Sequence, residues 1–307
     1  MRVLVLGAGG IGGYYGARIQ AAGGDVTFLV RPARAKQLAK DGLNVISPFG
    51  DLHLVPQCVT RDELKSPFDV IILSCKAFDL VSAIEAIAPA VGEGTVILPL
   101  LNGVRHIETL VERFGGEHVL GGVAAISVTL APHGEIQHLN KMHRFITGAR
   151  STPAPKALAP LAELLAKAGF DFILSNNIDQ ALWDKFVFLT ALASATCTLR
   201  ASVGQILDTV AGEAFIAGLL DECASVAAAS GHAVAEAQLA AYRTQLTEKG
   251  SGLMASMLRD VEKGGPTEAD HILGDMVARA DALGITAHCL RLAYSHLQAY
   301  DLRRQAS

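Results

Sequence analysis

The sequence predicts an α/β protein whose first half forms a doubly wound parallel sheet and whose second half is all helical. Up to about residue 175, short apolar runs alternate with helical patterns, and beyond that point only helical patterns follow. A length of 307 residues is also typical of two domains. We therefore predict one domain at residues 1–175 and a second at residues 176–307.

The predicted elements of the first half are short apolar strands and amphipathic helices. The strands are continuous apolar runs, which are typical of a sheet covered on both faces. We expect a hairpin within residues 43–55 and extended segments between 119 and 147 that close the far edge of the sheet. The remaining predicted elements are strands at 3–6, 25–30, 70–74, 95–98 and 170–174, a helix from residue 11, and helices at 36–40 and 156–167.

The second half is rich in Ala and Leu, with apolar residues at helical spacing from residue 177 to the end. Gly231 and Gly284 fall just after such helical runs, where a left-handed C-cap would lie. Core and surface apolar residues cannot be separated by sequence, so a homodimer is an open expectation.

Composition and charge exclude several classes of protein. The chain is 50% hydrophobic and 18% charged, which argues against disorder. A net charge of −4 and a pI near 6.2 give no reason to expect a nucleic-acid partner. No run approaches the roughly 18 uninterrupted apolar residues of a membrane helix, so no membrane partner is expected.

Two features predict a cytoplasmic protein. Glycines interrupt the apolar run that opens the chain, and no small-residue cleavage pattern follows, so we do not interpret it as a signal peptide. The cysteines are odd in number, widely spaced and without a C-x-x-C pair, which is typical of reduced thiols; they are Cys58, Cys75, Cys197, Cys223 and Cys289.

A glycine-rich motif lies between the first strand and the first helix. Gly7, Gly9 and Gly12 form the pattern G-x-G-x-x-G, with Gly10 and Ile11 inside it. The first glycine allows a tight turn, the second lets the backbone approach a pyrophosphate, and the third lets the helix pack closely on the strand. The free N–H groups at the helix start receive the phosphates. In this strand–helix setting the motif predicts a dinucleotide-binding domain of the Rossmann type.

The end of the second predicted strand indicates which dinucleotide binds. An acidic residue there would accept a hydrogen bond from the ribose 2′-hydroxyl of NAD(H), but this chain has Arg31. A guanidinium pairs with the 2′-phosphate of NADP(H), and Arg34 lies one short turn away. NADP(H) is therefore the expected cofactor. If Arg31 is an ordinary exposed arginine, the choice of cofactor stays open.

Two polar residues follow predicted strands at the end where ligands bind to a doubly wound sheet. Lys76 comes just after strand 70–74, and Asn102 follows strand 95–98. Both are candidate ligand contacts. Asn102 could equally form a turn before Gly103, and Lys76 could be a solvated lysine.

Lys185 and Glu268 are candidate reactive residues of the second half. Lys185 lies in the most apolar helix, where burial would lower its pKa and suit it to protonate a forming alkoxide. Alternatively, its stem reaches the surface beside Asp184. Glu268 lies at a predicted helix start, where the helix dipole favours a carboxylate as a ligand contact or as a structural cap.

The ten histidines form no recognisable ligand cluster, and we expect no metal. His133, His138 and His143 recur every five residues, and we interpret them as surface or turn positions. No G-x-S-x-G motif of a hydrolase nucleophile is present.

The motifs occur together in an order and at spacings that resemble the ketopantoate reductase (2-dehydropantoate 2-reductase) family, from Arg2 to about residue 300. The resemblance implies NADPH-dependent reduction of a 2-keto acid in a cleft between a Rossmann domain and a helical domain. The named reaction converts 2-dehydropantoate to pantoate in pantothenate biosynthesis. The motifs that carry the resemblance are GAGGIGG at residues 7–13, Arg31, Cys75-Lys76, Asn102-Gly103, residues 182–185, residues 256–260 and Thr267-Glu268.

The resemblance also implies roles for individual residues. Lys185 corresponds to the general acid, Glu268 to the group that orients the reacting centre, and Ser256 to a contact with the substrate carboxylate. The remaining implied roles are a bridge between nicotinamide and substrate for Asn102, a cofactor contact for Lys76 and a 2′-phosphate contact for Arg31.

The sequence departs from the family pattern at three substrate-side positions. Family asparagines are replaced by Leu189 and Ala193, four and eight residues after Lys185, and by Leu253, three residues before Ser256. Lost hydrogen bonds cost about 1 kcal/mol each. A reductase of a more apolar 2-keto acid is therefore an alternative, and a non-catalytic NADP(H)-binding regulator is a second one.

Overall fold

A computed structural model describes residues 1–306 and divides them into two compact units. The first unit contains Met1–Leu101 and His106–Ala181, and the second contains Asn102–Arg105 and the chain from Leu182 onward. Within the described residues, all strands lie in the first unit and only helices follow them, so the predicted fold class is confirmed. The strands are β1 (Arg2–Leu6), β2 (Asp25–Leu29), β3 (Leu43–Ile46), β4 (Leu52–Leu54), β5 (Gln57–Val59), β6 (Val70–Leu73), β7 (Val96–Pro99), β8 (Gly121–Leu130), β9 (Ile136–Gly148) and β10 (Asp171–Leu174).

Both units contain helices. Helices α1 to α5 belong to the first unit, apart from Arg105, the first residue of α4. Helix α6 begins in the first unit and continues into the second at Leu182, and helices α7 to α12 belong to the second unit. Their bounds are α1 (Gly10–Ala21), α2 (Pro32–Asp41), α3 (Leu80–Ile87), α4 (Arg105–Phe114), α5 (Leu158–Ala166), α6 (Ile178–Leu199), α7 (Val203–Leu207), α8 (Gly212–Ala229), α9 (Glu236–Leu246), α10 (Ser256–Glu262), α11 (Asp275–Ala282) and α12 (His288–Ala306).

The first sheet has five parallel strands in the order β5-β2-β1-β6-β7. The chain leaves the central β1 toward β2 on one side and later returns to add β6 on the other. The carboxyl ends of β1, β2 and β6 therefore lie side by side at the point where the strand order reverses, which is where such sheets bind ligands.

The prediction that residues 119–147 close the far edge of this sheet is wrong. The antiparallel pair β8–β9 exists, but neither strand joins the first sheet. Val119, just before β8, forms only an isolated bridge with Ile97 of β7. β9 instead pairs in parallel with β3 and β10, and β3 pairs with β4, which makes a second sheet. The sequence pattern does not predict β5, because a run of three exposed or half-buried residues is too short to show a period.

Helix α1 is buried because it contacts both sheets. A Cβ at Gly16 would lie 2.7 Å from the Phe28 ring of β2, while Tyr15 packs edge-on against Phe145 of β9. The Tyr15 hydroxyl also donates to the Arg144 carbonyl over 3.0 Å. Small residues on one face and aromatic residues on another thus let one helix fill the space between two sheets.

His138 corrects a further prediction, because it is buried rather than at the surface or in a turn. It is 8% exposed, packs edge-on against the Tyr14 ring and shares a hydrogen bond of 3.0 Å with the Ser47 hydroxyl. His138 lies on β9, and its ring is covered by Tyr14 of α1 and by Phe49, so the packing of α1 on the second sheet contributes to its burial.

Helix α6 is the core helix of the second unit from Leu182 onward. By length and composition it could cross a membrane, but 67% of its most apolar window is buried inside the protein, as in the core helix of a soluble protein. Phe186, Val187 and Leu192 are among its buried side chains.

Candidate active site

The turn between β1 and α1 has the geometry of a phosphate-binding loop. Gly7 has φ +86°, which glycine adopts without strain, and its N–H donates to the Leu29 carbonyl over 2.9 Å. A Cβ at Gly9 would meet no atom within 4 Å, so there is open space beside the backbone. Gly10 and Ile11 begin α1, whose first turn carries no acidic side chain to compete with an anion. These residues fit the pyrophosphate of a dinucleotide.

Gly12 has a packing function that the motif predicts. A Cβ there would lie 2.6 Å from the Gly7 carbonyl oxygen and would overlap the Ser74 hydroxyl. That hydroxyl donates to the Leu6 carbonyl over 3.2 Å. Helix α1 can approach β1 and β6 this closely only because position 12 has no side chain.

The two arginines at the start of α2 have different surroundings. Arg31 has an 87% exposed side chain whose guanidinium lies 4.0 Å from the Asp79 carboxylate. Arg34 is half-buried, and its terminal nitrogens donate to protein acceptors that include the carbonyls of Ala8 and Gly134. Arg31 is thus accessible to a 2′-phosphate, whereas the terminal nitrogens of Arg34 already donate to protein acceptors. The buried Nε of Arg34 has no hydrogen-bond partner among the described residues.

Lys76 lies at the carboxyl end of β6, directly before a 3₁₀ turn at Ala77–Asp79. Its side chain is half-buried, and its carbonyl accepts from the Asp79 N–H over 2.9 Å. Because β2 and β6 flank β1, Gly7, Arg31 and Lys76 follow three adjacent strands at the same edge of the first sheet.

The charges of Lys185 and Glu268, both in the second unit, interact with each other. Burial lowers the pKa of Lys185 from 10.5 to about 8, and the negative charge of Glu268 acts in the opposite direction. Glu268 is itself only 5% exposed. Lys185 is half-buried and its ammonium is desolvated, which favours a position inside the protein over one at the surface beside Asp184. A lysine with this pKa is mostly protonated at pH 7 yet gives up its proton readily.

Asn102 and Gly103 form a turn that contacts the π-helical turn Asp270–Gly274, which follows Glu268. Gly103 has φ +79°, and a Cβ there would lie 3.1 Å from Cδ2 of His271. The His271 ring also hydrogen-bonds to the Asn102 backbone. Asn102 is thereby held in the same unit as Lys185 and Glu268.

His271 is a site residue that sequence reasoning missed. Burial lowers its pKa, while the carboxylates of Glu268 and Asp275 raise it and Arg105 lowers it further. The available signal was its spacing, since residues three apart on a helix share a face, and His271 lies three residues after Glu268.

Ser256 is exposed and is the first residue of α10. Two backbone hydrogen bonds hold the segment before it. The Ala255 N–H donates to the Thr196 hydroxyl of α6 over 3.4 Å, and the Leu253 carbonyl accepts from the Val203 N–H over 3.0 Å. The segment that carries Leu253 and Ser256 is therefore attached to the helix that carries Lys185.

Leu189 and Ala193 follow Lys185 at helical spacing and share its face of α6. Leu189 is half-buried and Ala193 is fully buried. Neither side chain can donate or accept a hydrogen bond, so this face of the helix is apolar beyond the lysine. Among residues 1–306, no group of three or more His, Cys, Asp or Glu could hold a metal ion.

The fold and these residues define a class of protein. A parallel sheet with a phosphate-binding loop binds a dinucleotide, and a desolvated lysine that interacts with a carboxylate can exchange a proton with a substrate oxygen. This combination is typical of a nicotinamide-dependent oxidoreductase.

Comparison with known proteins identifies the family. The family model described as ketopantoate reductase PanE/ApbA matches residues 3–151, and the model of its C-terminal part matches residues 177–301. An uncharacterized oxidoreductase of Bacillus subtilis (strain 168), YkpB, is 37% identical over 99% of this chain and 100% of its own. The 2-dehydropantoate 2-reductase of Archaeoglobus fulgidus is 29% identical over 92% of each chain.

Solved structures agree with this result. The crystal structure of 2-dehydropantoate 2-reductase from Geobacter metallireducens GS-15 matches with a TM-score of 0.89 and 30% identity, over 97% of this chain and 99% of the other. The chain belongs to the ketopantoate reductase family. It is an oxidoreductase that acts on a CH–OH group, with a nicotinamide cofactor and a small-molecule substrate. This result sets aside the non-catalytic regulator.

Proposed function

We propose that this protein reduces a 2-keto acid to the 2-hydroxy acid with NADPH, and that 2-dehydropantoate is its leading substrate. The observation that carries the proposal is the interaction of the half-buried Lys185 with the buried Glu268, in which desolvation lowers the pKa of the lysine to about 8. A carbonyl that receives hydride needs a proton on its oxygen, and a lysine of this pKa can supply it near neutral pH.

In this proposal the first unit binds the cofactor. Gly7, Gly9, Gly10, Ile11 and Gly12 form the turn that receives the pyrophosphate, which the open space at Gly9 supports. We further assign the 2′-phosphate to the exposed guanidinium of Arg31 and a cofactor contact to Lys76, which follow the strands on either side of the loop. This assignment makes NADPH the preferred cofactor.

The residues of the second unit then have distinct functions in the reaction. The bound nicotinamide would supply a hydride to C2 of the keto acid. Lys185 donates a proton to the carbonyl oxygen as negative charge develops there, and its neutral amine takes up a proton from water afterwards. Glu268 holds the reacting centre by hydrogen bonding and keeps the lysine charged. Ser256 binds the substrate carboxylate, and Asn102 contacts both nicotinamide and substrate.

A more apolar 2-keto acid is the second candidate substrate. Leu189, Ala193 and Leu253 offer no hydrogen bond to a terminal hydroxyl such as that of 2-dehydropantoate. A branched substrate without this hydroxyl, such as 2-ketoisovalerate, needs no hydrogen-bond partner at these positions, so it binds there without leaving a polar group unpaired.

Steady-state NADPH oxidation with 2-dehydropantoate and with 2-ketoisovalerate tests the proposal. Turnover of either substrate that falls about 100-fold or more in Lys185→Ala, with cofactor binding retained, supports a lysine general acid. A higher kcat/KM for 2-dehydropantoate supports the first substrate, and a higher value for 2-ketoisovalerate supports the second. Full activity of Lys185→Ala would contradict the assigned mechanism.

We also propose a cytoplasmic enzyme of pantothenate biosynthesis with an NADP-binding domain at residues 1–175 and a substrate domain at 176–307. The family models, which match on either side of residues 152–176, support this division. Exposed leucines on α12, such as Leu292 and Leu302, support a homodimer built on the helical domain. Light scattering in solution tests the dimer.

A further inference from the structure

We infer that Arg34 is a positioning residue for the cofactor, which holds the phosphate-binding loop through the Ala8 carbonyl and so fixes the direction of the Gly9 N–H. The inference rests on the proposed dinucleotide site. It differs from the 2′-phosphate role of Arg31 because Arg34 acts on the part of the site that NADPH and NADH share.

The Arg34 guanidinium connects three parts of the first unit. Its Nη2 donates to the carbonyl oxygens of Ala8, over 3.0 Å, and of Gly134, over 3.1 Å. Its Nη1 donates to Oε1 of Gln37 over 2.7 Å, and Nε2 of Gln37 donates to the His133 carbonyl over 2.9 Å. The loop after β1, helix α2 and the turn between β8 and β9 therefore share one hydrogen-bonded centre.

The bond to Ala8 has a direct consequence for Gly9. In a planar trans peptide, the carbonyl of one residue and the N–H of the next point in opposite directions. Since the Ala8 carbonyl faces Arg34, the Gly9 N–H faces away from it. The Gly9 carbonyl is also fixed, because it accepts from the Gly13 N–H over 2.8 Å. Both peptide groups of Gly9 are thus oriented before any ligand binds.

The turn between β8 and β9 is shaped to admit the guanidinium. Gly134 has φ +94°, and a Cβ there would lie 2.6 Å from Nη1 of Arg34 and would overlap Nε2 of Gln37. The planar guanidinium of an arginine carries several N–H groups, so it can donate to the carbonyls of Ala8 and Gly134 and also to the side chain of Gln37. The ammonium of a lysine lacks this planar geometry. The arrangement therefore depends on the shape of the side chain as well as on its charge.

Fluorescence titration of NADPH and NADH binding separates this role from its alternatives. We expect Arg34→Lys and Arg34→Met each to raise the Kd of both dinucleotides by about tenfold and by the same factor, so that the NADPH preference is unchanged. Arg31→Ala should instead raise the Kd of NADPH alone. The matched control is Gln37→Met, which keeps the bond between Arg34 and Ala8 and should change either Kd by less than about twofold.

Three outcomes would overturn the inference. Wild-type affinity in Arg34→Lys would mean that charge alone matters, and loss of NADPH affinity alone would make Arg34 a ligand of the 2′-phosphate. Equal loss in Gln37→Met would mean a general structural role. Thermal melts without ligand show which variants are folded at the titration temperature, and Arg34→Lys and Gln37→Met decide the matter if Arg34→Met does not fold. If the wild type binds neither dinucleotide, the proposed function fails as well.

Discussion

At Lys185, two opposing effects act on one pKa. Burial removes water from the ammonium and lowers its pKa, while the nearby carboxylate of Glu268 stabilises the charge and raises it. Burial is the larger effect, so the pKa falls to about 8 instead of rising above 10.5. The pair therefore combines a proton that leaves readily with a lysine that is still charged at neutral pH.

This pKa predicts the pH dependence of the reduction. The active form is the protonated lysine, so kcat/KM should be constant below pH 7 and fall as the pH rises through about 8. Initial rates of NADPH oxidation at fixed ionic strength measure this limb. A profile that stays level to pH 10 would show that Lys185 keeps an ordinary pKa or is not the proton donor.

Glu268→Gln should move the same limb toward lower pH. The substitution keeps the size of the side chain but removes the negative charge that raises the pKa of Lys185. Burial then acts without opposition, and the pKa falls below about 8. Comparing the two pH profiles tests this expectation. An unchanged or higher apparent pKa would mean that Glu268 does not act on the lysine charge.

At the scale of elements, the strand–turn–helix unit at the start of the chain contains glycines of two kinds. Position 9 is open, so its glycine leaves room for a ligand, whereas position 12 is closely packed, so its glycine leaves room for the protein itself. The contrast provides a matched pair of substitutions within one motif.

Gly12→Ala should destabilise the fold, and Gly9→Ala should not. The first places a methyl group against the Gly7 carbonyl and the Ser74 hydroxyl, and such overpacking costs about 1–3 kcal/mol. The second meets no atom within 4 Å, so its free energy of unfolding should stay within about 0.5 kcal/mol, while its dinucleotide affinity falls. Denaturant unfolding and cofactor titration measure the two effects. Equal stability loss in both variants would contradict the assignment.

The contact of the Asn102–Gly103 turn with His271 joins two local elements, a turn and the π-helical turn Asp270–Gly274. Gly103 brings the backbone within reach of the imidazole, and the π-helical turn places that imidazole three residues after Glu268. Two segments far apart in sequence thereby hold Asn102 and Glu268 in one arrangement. The second unit thus contains both the proposed proton donor and the groups proposed to position it.

For the whole molecule, ligand binding should be coupled to stability. A cofactor that binds only the folded chain stabilises it by about 2.7 kcal/mol at a concentration 100 times its Kd. Differential scanning calorimetry should therefore show a higher unfolding temperature with NADPH and a smaller shift in both Arg31→Ala and Gly9→Ala. A full NADPH shift in Gly9→Ala would contradict the proposed location of the pyrophosphate.

The sequence by itself determined the features that depend on neighbouring residues. Continuous apolar runs marked β1, β2, β6 and β7, glycine spacing marked the phosphate loop, and helical periodicity marked the second half. Arg31, Lys76 and Asn102 could be singled out because each follows a strand directly. These patterns are local, and a strand or helix shows its period within a few residues.

Only the tertiary structure decided the features that join distant residues. Arg34 meets acceptors 26 and 100 residues away, and β3 pairs with β9 in a second sheet, whose packing with α1 contributes to the burial of His138. The burial that lowers the pKa of Lys185, and the approach of His271 to Asn102, likewise depend on how the chain folds back on itself. The physical reason is that a local period shows which face of an element is apolar, whereas its partner is chosen by packing over the whole chain.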